Sequence, residues 1–342
     1  MKVIVTGGAG FIGSHVVDRL VEAGHEVLVF DDFSSGRESN LEKSLQVAKN
    51  AGTRLTLFKE DIRDALAWEK AGRADALFHF AAQTSVTASF EDLDLDFDLN
   101  ARGALNVCKW IKKVKPRFYL YANTAGALYG STSQIPTSED IPLWPECMYG
   151  ATKSFGEVYL NAFVQSMKSS KAFSSDPESD NYFSWAALRL ANVYGERQIS
   201  KGEAGVLPIF AEKFVAGKAP IVFGEEAVTR DYVHVSDVAS AFMRAFERMQ
   251  ETCLDTGFNI GTGVETSSEK VYSFVFAAME GTPYFKAIEG FKEPKRLPLR
   301  AGEVFRSCLD STKAKELLSW ESQKVFSDSV KPFVDYFLKN EL

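Results

Sequence analysis

The sequence contains few residues of the kinds that build disulfide or metal sites. Its cysteines and histidines are Cys108, Cys147, Cys253, Cys308, His15, His25, His79 and His234. None of the cysteines forms a Cys-x-x-Cys spacing, and the histidines are isolated from one another and from the cysteines. This pattern argues against a disulfide framework and against structural zinc, so we predict ordinary thiols and no metal site.

Long apolar runs and basic clusters are also missing. No apolar run approaches the ~18 to 20 residues that a membrane-spanning helix needs, and the chain enters a strand-like run at once, without a leader pattern. The formal net charge is −7, with no stripe of lysine or arginine to attract a nucleic acid. We therefore expect a cytoplasmic protein with no membrane and no nucleic-acid partner.

The amino-terminal residues have the pattern of a strand, a glycine-rich turn and a helix. Residues 2–15 read KVIVTGGAGFIGSH, with glycines at 7, 10 and 13. Such glycines turn the chain sharply, let its backbone approach a pyrophosphate and allow the helix to pack close to the strand. The next apolar run, 27–30, ends in Asp31 and Asp32. A carboxylate there accepts ribose hydroxyls and repels a 2′-phosphate, which favours NAD over NADP.

Strand-like runs alternate with helical patterns along the chain. They lie at 2–5, 27–30, 54–60, 74–81, 117–122 and 185–191. This alternation predicts the α/β class, with parallel strands in a Rossmann-type doubly wound sheet and helices on both faces. Ligands of such sheets bind at the carboxyl ends of the strands.

The run Tyr149-Gly-Ala-Thr-Lys153 places a phenol and an ammonium one helical turn apart. A positive charge nearby favours the phenolate and lowers the pKa of a tyrosine. Such a phenolate can take a proton from a sugar hydroxyl. The spacing alone is common, and its significance comes from the glycine turn in the same chain.

Together the two motifs resemble the extended short-chain dehydrogenase/reductase family, and within it the NAD-dependent nucleotide-sugar epimerases. The resemblance implies NAD as cofactor and a smaller α/β domain that binds the sugar nucleotide. The cofactor-binding positions that it implies are Gly7, Gly10, Phe11, Ile12, Gly13, Asp31, Asp32, Asp61, Ile62, Phe80, Ala81, Ala82, Gln83, Asn100, Tyr149 and Lys153.

The same resemblance implies a substrate site built from later segments. Arg230 and Arg300 would hold the diphosphate, since guanidinium groups bind phosphate oxygens bidentately and stay charged. The further positions implied are Asn192, Val206, Leu207, Val222, Phe223, Glu303 and Ser307. Ser307 stands where relatives restricted to unmodified hexoses often carry a bulky aromatic, so a shorter side chain there could admit an N-acetyl group.

The third catalytic position is Thr124 in our prediction, beside Tyr149 and Lys153. Counting back from Tyr129 in the commonest family pattern lands on Ala125, which has no hydroxyl. Residues 125–127 carry no acid, base or thiol, unlike those of related dehydratases, decarboxylases and 3,5-epimerases. The expected reaction is therefore oxidation and re-reduction at C4 of a UDP-hexose, UDP-glucose or UDP-galactose.

Three alternatives stay open. One is 4-epimerisation of UDP-N-acetylglucosamine, another is a net oxidoreductase on a nucleotide sugar, and the third is an NAD-binding scaffold or sensor without activity. The predicted domains are 1–192 plus about 232–262 for NAD, and about 193–231 plus 263–342 for the sugar nucleotide. The resemblance also implies a homodimer formed through two helices of each subunit.

Three segments give further expectations. Residues 92–99 alternate strictly between aspartate and apolar residues, typical of a strand, but we assign them to the entry of a helix that follows at 101–113. Residues 166–184, rich in Ser, Lys and Asp, are expected to form a mobile surface loop. The apolar stripe of Phe326, Val330, Phe333, Val334 and Phe337 has helical spacing and is expected in the core.

Overall fold

The computed structural model describes residues 1–200, 205–224, 228–285, 294–299 and 303–342. Its strands are β1 Lys2–Thr6, β2 Glu26–Asp31, β3 Leu55–Lys59, β4 Ala76–His79, β5 Phe118–Thr124, β6 Ser184–Leu190, β7 Asn192–Tyr194, β8 Ile221–Phe223, β9 Thr229–His234, β10 Thr256–Ile260, β11 Glu265–Ser267 and β12 Lys295–Leu297. Its helices are α1 Phe11–Glu22, α2 Glu42–Ala51, α3 Ala65–Ala71, α4 Val86–Glu91, α5 Leu93–Asp96, α6 Gly103–Val114, α7 Ala125–Leu128, α8 Met148–Ser169, α9 Val206–Val215, α10 Val235–Met249, α11 Ser268–Met279, α12 Thr312–Leu318 and α13 Phe326–Asn340.

Seven strands form one parallel sheet in the order β10-β6-β5-β4-β1-β2-β3. The chain order reverses between β1 and β4, and a crevice opens at the carboxyl ends of strands at such a switch point. All six strand-like runs of the sequence are strands of this sheet. The Rossmann-type prediction is confirmed.

Helices cover both faces of the sheet because the buried strands are apolar on both sides. On one face, Val17 and Leu20 of α1 pack with Phe242 and Phe246 of α10. On the other face, α3, α6 and α8 form a second core that includes Trp68. The catalytic-motif helix α8 belongs to this second face.

A smaller α/β region follows from the later elements. β9 pairs in parallel with β7 and antiparallel with β11, and β8 pairs with β12. Helices α9, α11 and α13 bury a separate apolar core. This core contains Val330, Phe333, Val334 and Phe337, and partly buried Phe326 packs against it, so the expectation for the last helix is confirmed. The domain boundaries predicted above stay a prediction.

The segment at 92–99, in which aspartate alternates with apolar residues, is helical from residue 93 onwards. Residues 93–96 are helical and lead through a π-helical turn, Phe97–Arg102, into α6, so the helix assignment is confirmed against the strand-like alternation. The side chain of Asp92 caps this helix by accepting from Leu95 N at 2.9 Å. Charge at a helix start, rather than period-two spacing, decides the structure here.

The loop expectation at 166–184 is wrong in part. Helix α8 continues to Ser169, and the following segment is pinned by buried Phe173, Tyr182 and Phe183. The hydroxyl of Tyr182 also donates to the carbonyl of Met249 at 2.6 Å. Aromatic anchors within a polar segment tie it to the core, which composition alone does not show.

Candidate active site

Two adjoining cavities open at the carboxyl ends of the central strands. Every predicted cofactor position except Gln83 and Asn100 lines the first cavity, namely Gly7, Gly10, Phe11, Ile12, Gly13, Asp31, Asp32, Asp61, Ile62, Phe80, Ala81, Ala82, Tyr149 and Lys153. Residues from widely separated segments thus meet in one place, as the parallel sheet requires.

Where the glycine turn between β1 and α1 is tightest, there is no room for a side chain. Gly7 has φ +65°, and a Cβ on Gly13 would lie 2.2 Å from the carbonyl oxygen of Gly7. Side chains at these two positions would collide with the backbone or strain it. The turn therefore brings bare backbone to the mouth of the cavity, where α1 begins, and this suits a pyrophosphate.

Asp31 and Asp32 lie at the end of β2 and differ in their partners. The buried carboxylate of Asp31 accepts hydrogen bonds from the backbone N–H groups of Ala9 and Phe33, each at 2.9 Å. Burial raises its pKa, and these hydrogen bonds oppose the increase. Asp32 accepts from Ser34 N at 2.9 Å and Ser34 Oγ at 2.6 Å. Asp31 thus also anchors the glycine turn to β2.

Gln83 and Asn100 are buried and are not among the described lining residues of the first cavity. Asn100 Nδ2 donates to the Gln83 carbonyl at 3.0 Å, and its Oδ1 accepts from Gln83 N at 3.0 Å. The Asn100 amide also donates to Thr152 on α8, whose hydroxyl donates to buried Asp96 at 2.8 Å. Their predicted contact with the cofactor stays a prediction, while the structure shows them supporting α8.

Tyr149 occupies the junction of the two cavities because it stands in the first turn of α8. This helix starts at Cys147, whose Sγ accepts from Gly150 N at 3.4 Å. A Cβ on Gly150 would lie 2.3 Å from the carbonyl oxygen of Ala127, so glycine allows α8 to approach α7 closely. Tyr149 is largely buried and lines both cavities.

Lys153 lies one turn further along α8 and lines the first cavity. Its ammonium donates to the carbonyl of Ala122 at 2.8 Å and lies 4.3 Å from the ring centroid of Tyr121. Burial, together with the Lys153 charge, lowers the pKa of His79 to about 3, so His79 is neutral at physiological pH. Burial raises the pKa of Tyr121 well above its ordinary value. His79 and Tyr121 therefore carry no charge of their own beside the ammonium.

The structure places Thr124, not Ala125, in the second cavity. Ala125 is only 4% exposed and packs in the core with Leu190 and Ala191. Thr124 lines the cavity together with Asn192. A Cβ on Gly126 would lie 4.0 Å from Thr124 Oγ1 and 3.8 Å from Asn192 Oδ1, so the two side chains border the same space. The catalytic duty of Thr124 itself stays a prediction.

Arg230 and Glu303 also line the second cavity. Arg230 Nη1 donates to the carbonyl of Thr229 at 2.8 Å. Arg300, the other predicted diphosphate ligand, lies outside the described residues. Of the two arginines that we predict to hold the diphosphate, the structure therefore describes Arg230, which lines the second cavity.

The remaining predicted substrate positions are not among the described lining residues. They are Val206, Leu207, Val222, Phe223 and Ser307. Leu207 and Val222 are almost fully buried in the core of the smaller region. Ser307 N donates to the Thr229 carbonyl at 3.2 Å and extends the strand pairing there. Their contact with a base or sugar stays a prediction.

Three residues that line the cavities are not among the predicted site residues. Asn123 and Thr84 line both cavities, and Gln198 lines the second. Asn123 precedes Thr124 at a strand end and could have been found from the topology. Gln198 and Thr84 stand in irregular segments, where no periodicity marks them.

Within the described part of the chain no helix is long and apolar enough to cross a membrane. The same described residues contain no group of three or more potential metal ligands.

The fold and the tyrosine–lysine pair facing a glycine-turn crevice together define a dinucleotide-dependent enzyme of the short-chain dehydrogenase/reductase type.

Comparison with known proteins agrees with this class. Residues 3–261 match the model of the NAD dependent epimerase/dehydratase family. The chain is 36% identical over 337 residues to a UDP-glucose 4-epimerase of Mycolicibacterium smegmatis, covering 98% of each protein. It therefore belongs to the NAD dependent epimerase/dehydratase family and is an enzyme that uses NAD.

Solved structures show the same similarity. The crystal structure of a UDP-glucose 4-epimerase with UDP-glucose from Thermotoga maritima has TM-score 0.84 and 35% identity, covering 100% of both chains. A Thermus thermophilus UDP-glucose 4-epimerase in complex with NAD has TM-score 0.83 and 33% identity, covering 99% of this chain and 100% of the other.

Proposed function

We propose that this protein is a UDP-glucose 4-epimerase, which interconverts UDP-glucose and UDP-galactose through a transient 4-keto sugar. One observation carries the proposal: Tyr149 lies where the cofactor cavity and the second cavity meet. A sugar in the second cavity would have its reacting carbon between this phenol and a nicotinamide. Full-length similarity to UDP-glucose 4-epimerases supports the choice of substrate.

The residues present suit NAD. The glycine turn leaves backbone access for a pyrophosphate, and the carboxylates of Asp31 and Asp32 lie where ribose hydroxyls need acceptors. When bound, NAD⁺ would supply the hydride acceptor for C4 of the sugar and, once reduced, the hydride donor for re-reduction. Because the cofactor is regenerated in each turnover, it need not leave. Repulsion between these carboxylates and a 2′-phosphate favours NAD over NADP.

Tyr149 acts as the base in this proposal. As phenolate it takes the proton of the 4-hydroxyl as the C4 hydride departs, and returns a proton when the keto group is reduced. Thr124 hydrogen-bonds the same hydroxyl from the strand end. Lys153 would hold the nicotinamide ribose, and its positive charge would favour the phenolate form of Tyr149.

Inversion requires the keto sugar to present its other face. Arg230 would hold the diphosphate, with Arg300 as its predicted partner, while the ring turns about its phosphate linkage. Asn192 and Glu303 border the same cavity and would contact the sugar nucleotide. Residues 125–127 offer no acid, base or thiol for elimination or a second epimerisation, so the reaction ends with re-reduction at C4.

Three alternatives are distinguishable from the main proposal. UDP-N-acetylglucosamine would be the substrate if Ser307 opens space for the acetyl group, although Ser307 is not among the described lining residues. A net oxidoreductase would consume free cofactor. Membership of an enzyme family argues against an NAD-binding scaffold or sensor.

The test is incubation of purified protein with UDP-glucose, UDP-galactose and their N-acetyl counterparts, without added cofactor. The anomeric and H4 signals in NMR spectra should show interconversion of the two unmodified sugars. Tyr149→Phe should abolish it, while Tyr159→Phe, an exposed tyrosine on the same helix, should leave it unchanged. Turnover only with added NAD(P)H would point to the net oxidoreductase.

A cytoplasmic homodimer completes the proposal. Helix α8 exposes Phe155, Val158 and Tyr159, and the neighbouring segment exposes Leu93 and Phe97. These apolar side chains lie on adjacent helical elements and form a surface that a second copy could cover. Val158→Asp should convert the dimer to monomer in sedimentation analysis, whereas Val325→Asp, an exposed valine just before α13, should not.

A further inference from the structure

Glu341 directly follows α13 and forms an ion pair with Arg37, in the segment that follows β2. Glu341 Oε2 accepts a hydrogen bond from Arg37 Nη1 at 2.6 Å, and Glu341 Oε1 accepts one from Arg37 Nη2 at 2.9 Å. The Glu341 side chain is only 3% exposed, whereas that of Arg37 is 36% exposed. Two parallel bonds of this kind fix the orientation of the guanidinium plane as well as its distance.

The backbone of Arg37 is in turn bound to the glycine turn. The N–H of Arg37 donates to the carbonyl of Ala9 at 3.0 Å. The same carbonyl accepts from Nδ2 of buried Asn40 at 2.8 Å, and Arg37 Nη2 donates to Asn40 Oδ1 at 3.4 Å. The guanidinium that Glu341 holds therefore belongs to a residue that closes the segment 33–40 against the turn.

This segment forms part of the wall of the first cavity. Ser34 and Ser35 line that cavity together with Asp31. A Cβ on Gly36 would lie 2.8 Å from Asp31 Oδ1 and 2.9 Å from the Cβ of Ala9, so the segment packs directly on both residues. A displacement of the segment would change the shape of the cavity where we expect a ribose of NAD to bind.

The Glu341 carboxylate is placed by the core of the smaller region. Phe333 and Phe337 of α13 are each 1% exposed and belong to that core. The N–H of Glu341 donates to the carbonyl of Phe337 at 2.9 Å, and Tyr336 Oη donates to Glu341 Oε1 at 3.4 Å. The position of the carboxylate is therefore set by α13, independently of the segment to which it binds.

Neither Arg37 nor Glu341 is among the described lining residues of the first cavity, so the pair acts on that cavity through the segment. We infer that Glu341 is a positioning residue for NAD, which keeps residues 33–36 in the conformation that the bound dinucleotide needs. When a binding-competent conformation is populated less often, the apparent affinity falls in proportion. The inference rests on the part of the proposed function that places NAD in the first cavity.

The test measures release of NAD from the loaded protein. Protein carrying radiolabelled NAD is diluted into an excess of unlabelled NAD, and the label that stays bound is followed over time by gel filtration. Glu341→Gln keeps the side-chain shape but removes the charge. It should release NAD about three- to tenfold faster, the effect of weakening one charge-assisted bond to a partly exposed arginine. The matched control is Asp335→Asn, which breaks an exposed pair with Lys331 on α13 and should release NAD at the parental rate.

Arg37→Met and the double variant test whether Glu341 acts through Arg37. If it does, the double variant should release NAD no faster than Arg37→Met alone, because two residues of one pair are not additive. Hydrogen exchange of the segment 33–40 should be faster in all three variants, while exchange in α8 should match that of the parent. Unchanged exchange in α8 also shows that the fold is retained.

Three results would overturn the inference. The first is release of NAD from Glu341→Gln at the parental rate, and the second is faster release in Arg37→Met alone, which would make Arg37 act without Glu341. The third is faster exchange throughout the protein, which would show a general structural role. A parent protein that binds no NAD would instead refute the proposed function.

Discussion

Glu157 and Arg189 form a buried ion pair between the helix that carries Tyr149 and the strand β6. Arg189 Nη2 lies 2.6 Å from Glu157 Oε1, and the side chains are only 10% and 5% exposed, respectively. Glu157 Oε2 also accepts from Asn123 Nδ2 at 2.7 Å, and Arg189 Nη1 donates to Tyr129 Oη at 2.7 Å. One charge pair thus joins α8, the end of β5 beside Thr124, and α7.

Removing one partner should cost much stability, because the other charge would stay buried. Burial lowers the pKa of Arg189, but the bonds to Glu157 outweigh this and raise it overall, so the guanidinium keeps its charge. Glu157→Gln should lower the free energy of unfolding by about 3 kcal/mol in urea titrations. Glu69→Gln, which breaks the exposed pair with Lys113, should cost less than about 1 kcal/mol. Equal effects would show that the buried pair is not structurally important.

Moving the hydroxyl group between positions 124 and 125 tests which of the two holds the catalytic place at the end of β5. Thr124→Ala should lower kcat about a hundredfold, the usual scale of a positioned proton-handling group. Thr124→Ser should retain most activity. Adding Ala125→Ser to Thr124→Ala should not restore turnover, since position 125 faces the core. Restored kcat in the double variant would assign the duty to position 125.

Acid should destabilise the protein partly through His79. Its pKa is about 3 when folded and 6.5 ordinarily, so between those values the unfolded chain binds a proton that the native protein does not. The contribution of His79 to the free energy of unfolding is therefore at its full value above pH 6.5 and declines as the pH falls towards 3. The decline is about 1.4 kcal/mol per pH unit.

The comparison is between the parent and His79→Asn, with unfolding free energies measured in urea at several pH values in this window. The variant should be less stable at neutral pH because it packs less well, but its stability should fall less steeply with acid. Parallel slopes for the two proteins would show that His79 does not titrate on unfolding.

Cofactor preference should depend on the carboxylate of Asp32. Asp32→Ser removes a negative charge near the expected 2′ position, while the anchoring contacts of Asp31 remain. The ratio of NADP to NAD affinity should rise about tenfold, the effect of relieving one modest like-charge repulsion. Asp94→Ser, an exposed carboxylate of α5, should leave the ratio unchanged. An unchanged ratio of NADP to NAD affinity in Asp32→Ser would show that other residues discriminate between the two cofactors.

The sequence predicted the parallel sheet and the cofactor crevice because both depend on local patterns. Apolar runs, spaced glycines and an acidic strand end need no knowledge of distant contacts. The choice of Thr124 over Ala125 agrees with the burial of Ala125, while the catalytic role of Thr124 stays a prediction. The residues that bind the substrate were less predictable. Leu207 and Val222 are apolar residues of the buried core, and hydrophobicity in the sequence does not distinguish a core residue from one that lines a cavity.

Residues that act through others were missed for a related reason. Glu157 and Asp96 are ordinary acidic residues in the sequence, and their burial depends on partners far along the chain. Such roles arise from tertiary contacts, which single-sequence patterns do not contain.

The most direct test of the central claim follows the C4 hydrogen itself. UDP-glucose deuterated at C4 is incubated with the purified protein in ordinary water, and the product is analysed by NMR and mass spectrometry. If hydride leaves C4 and returns within one active site at Tyr149, the UDP-galactose formed should retain its deuterium at C4. Product that has lost deuterium to solvent would contradict the account.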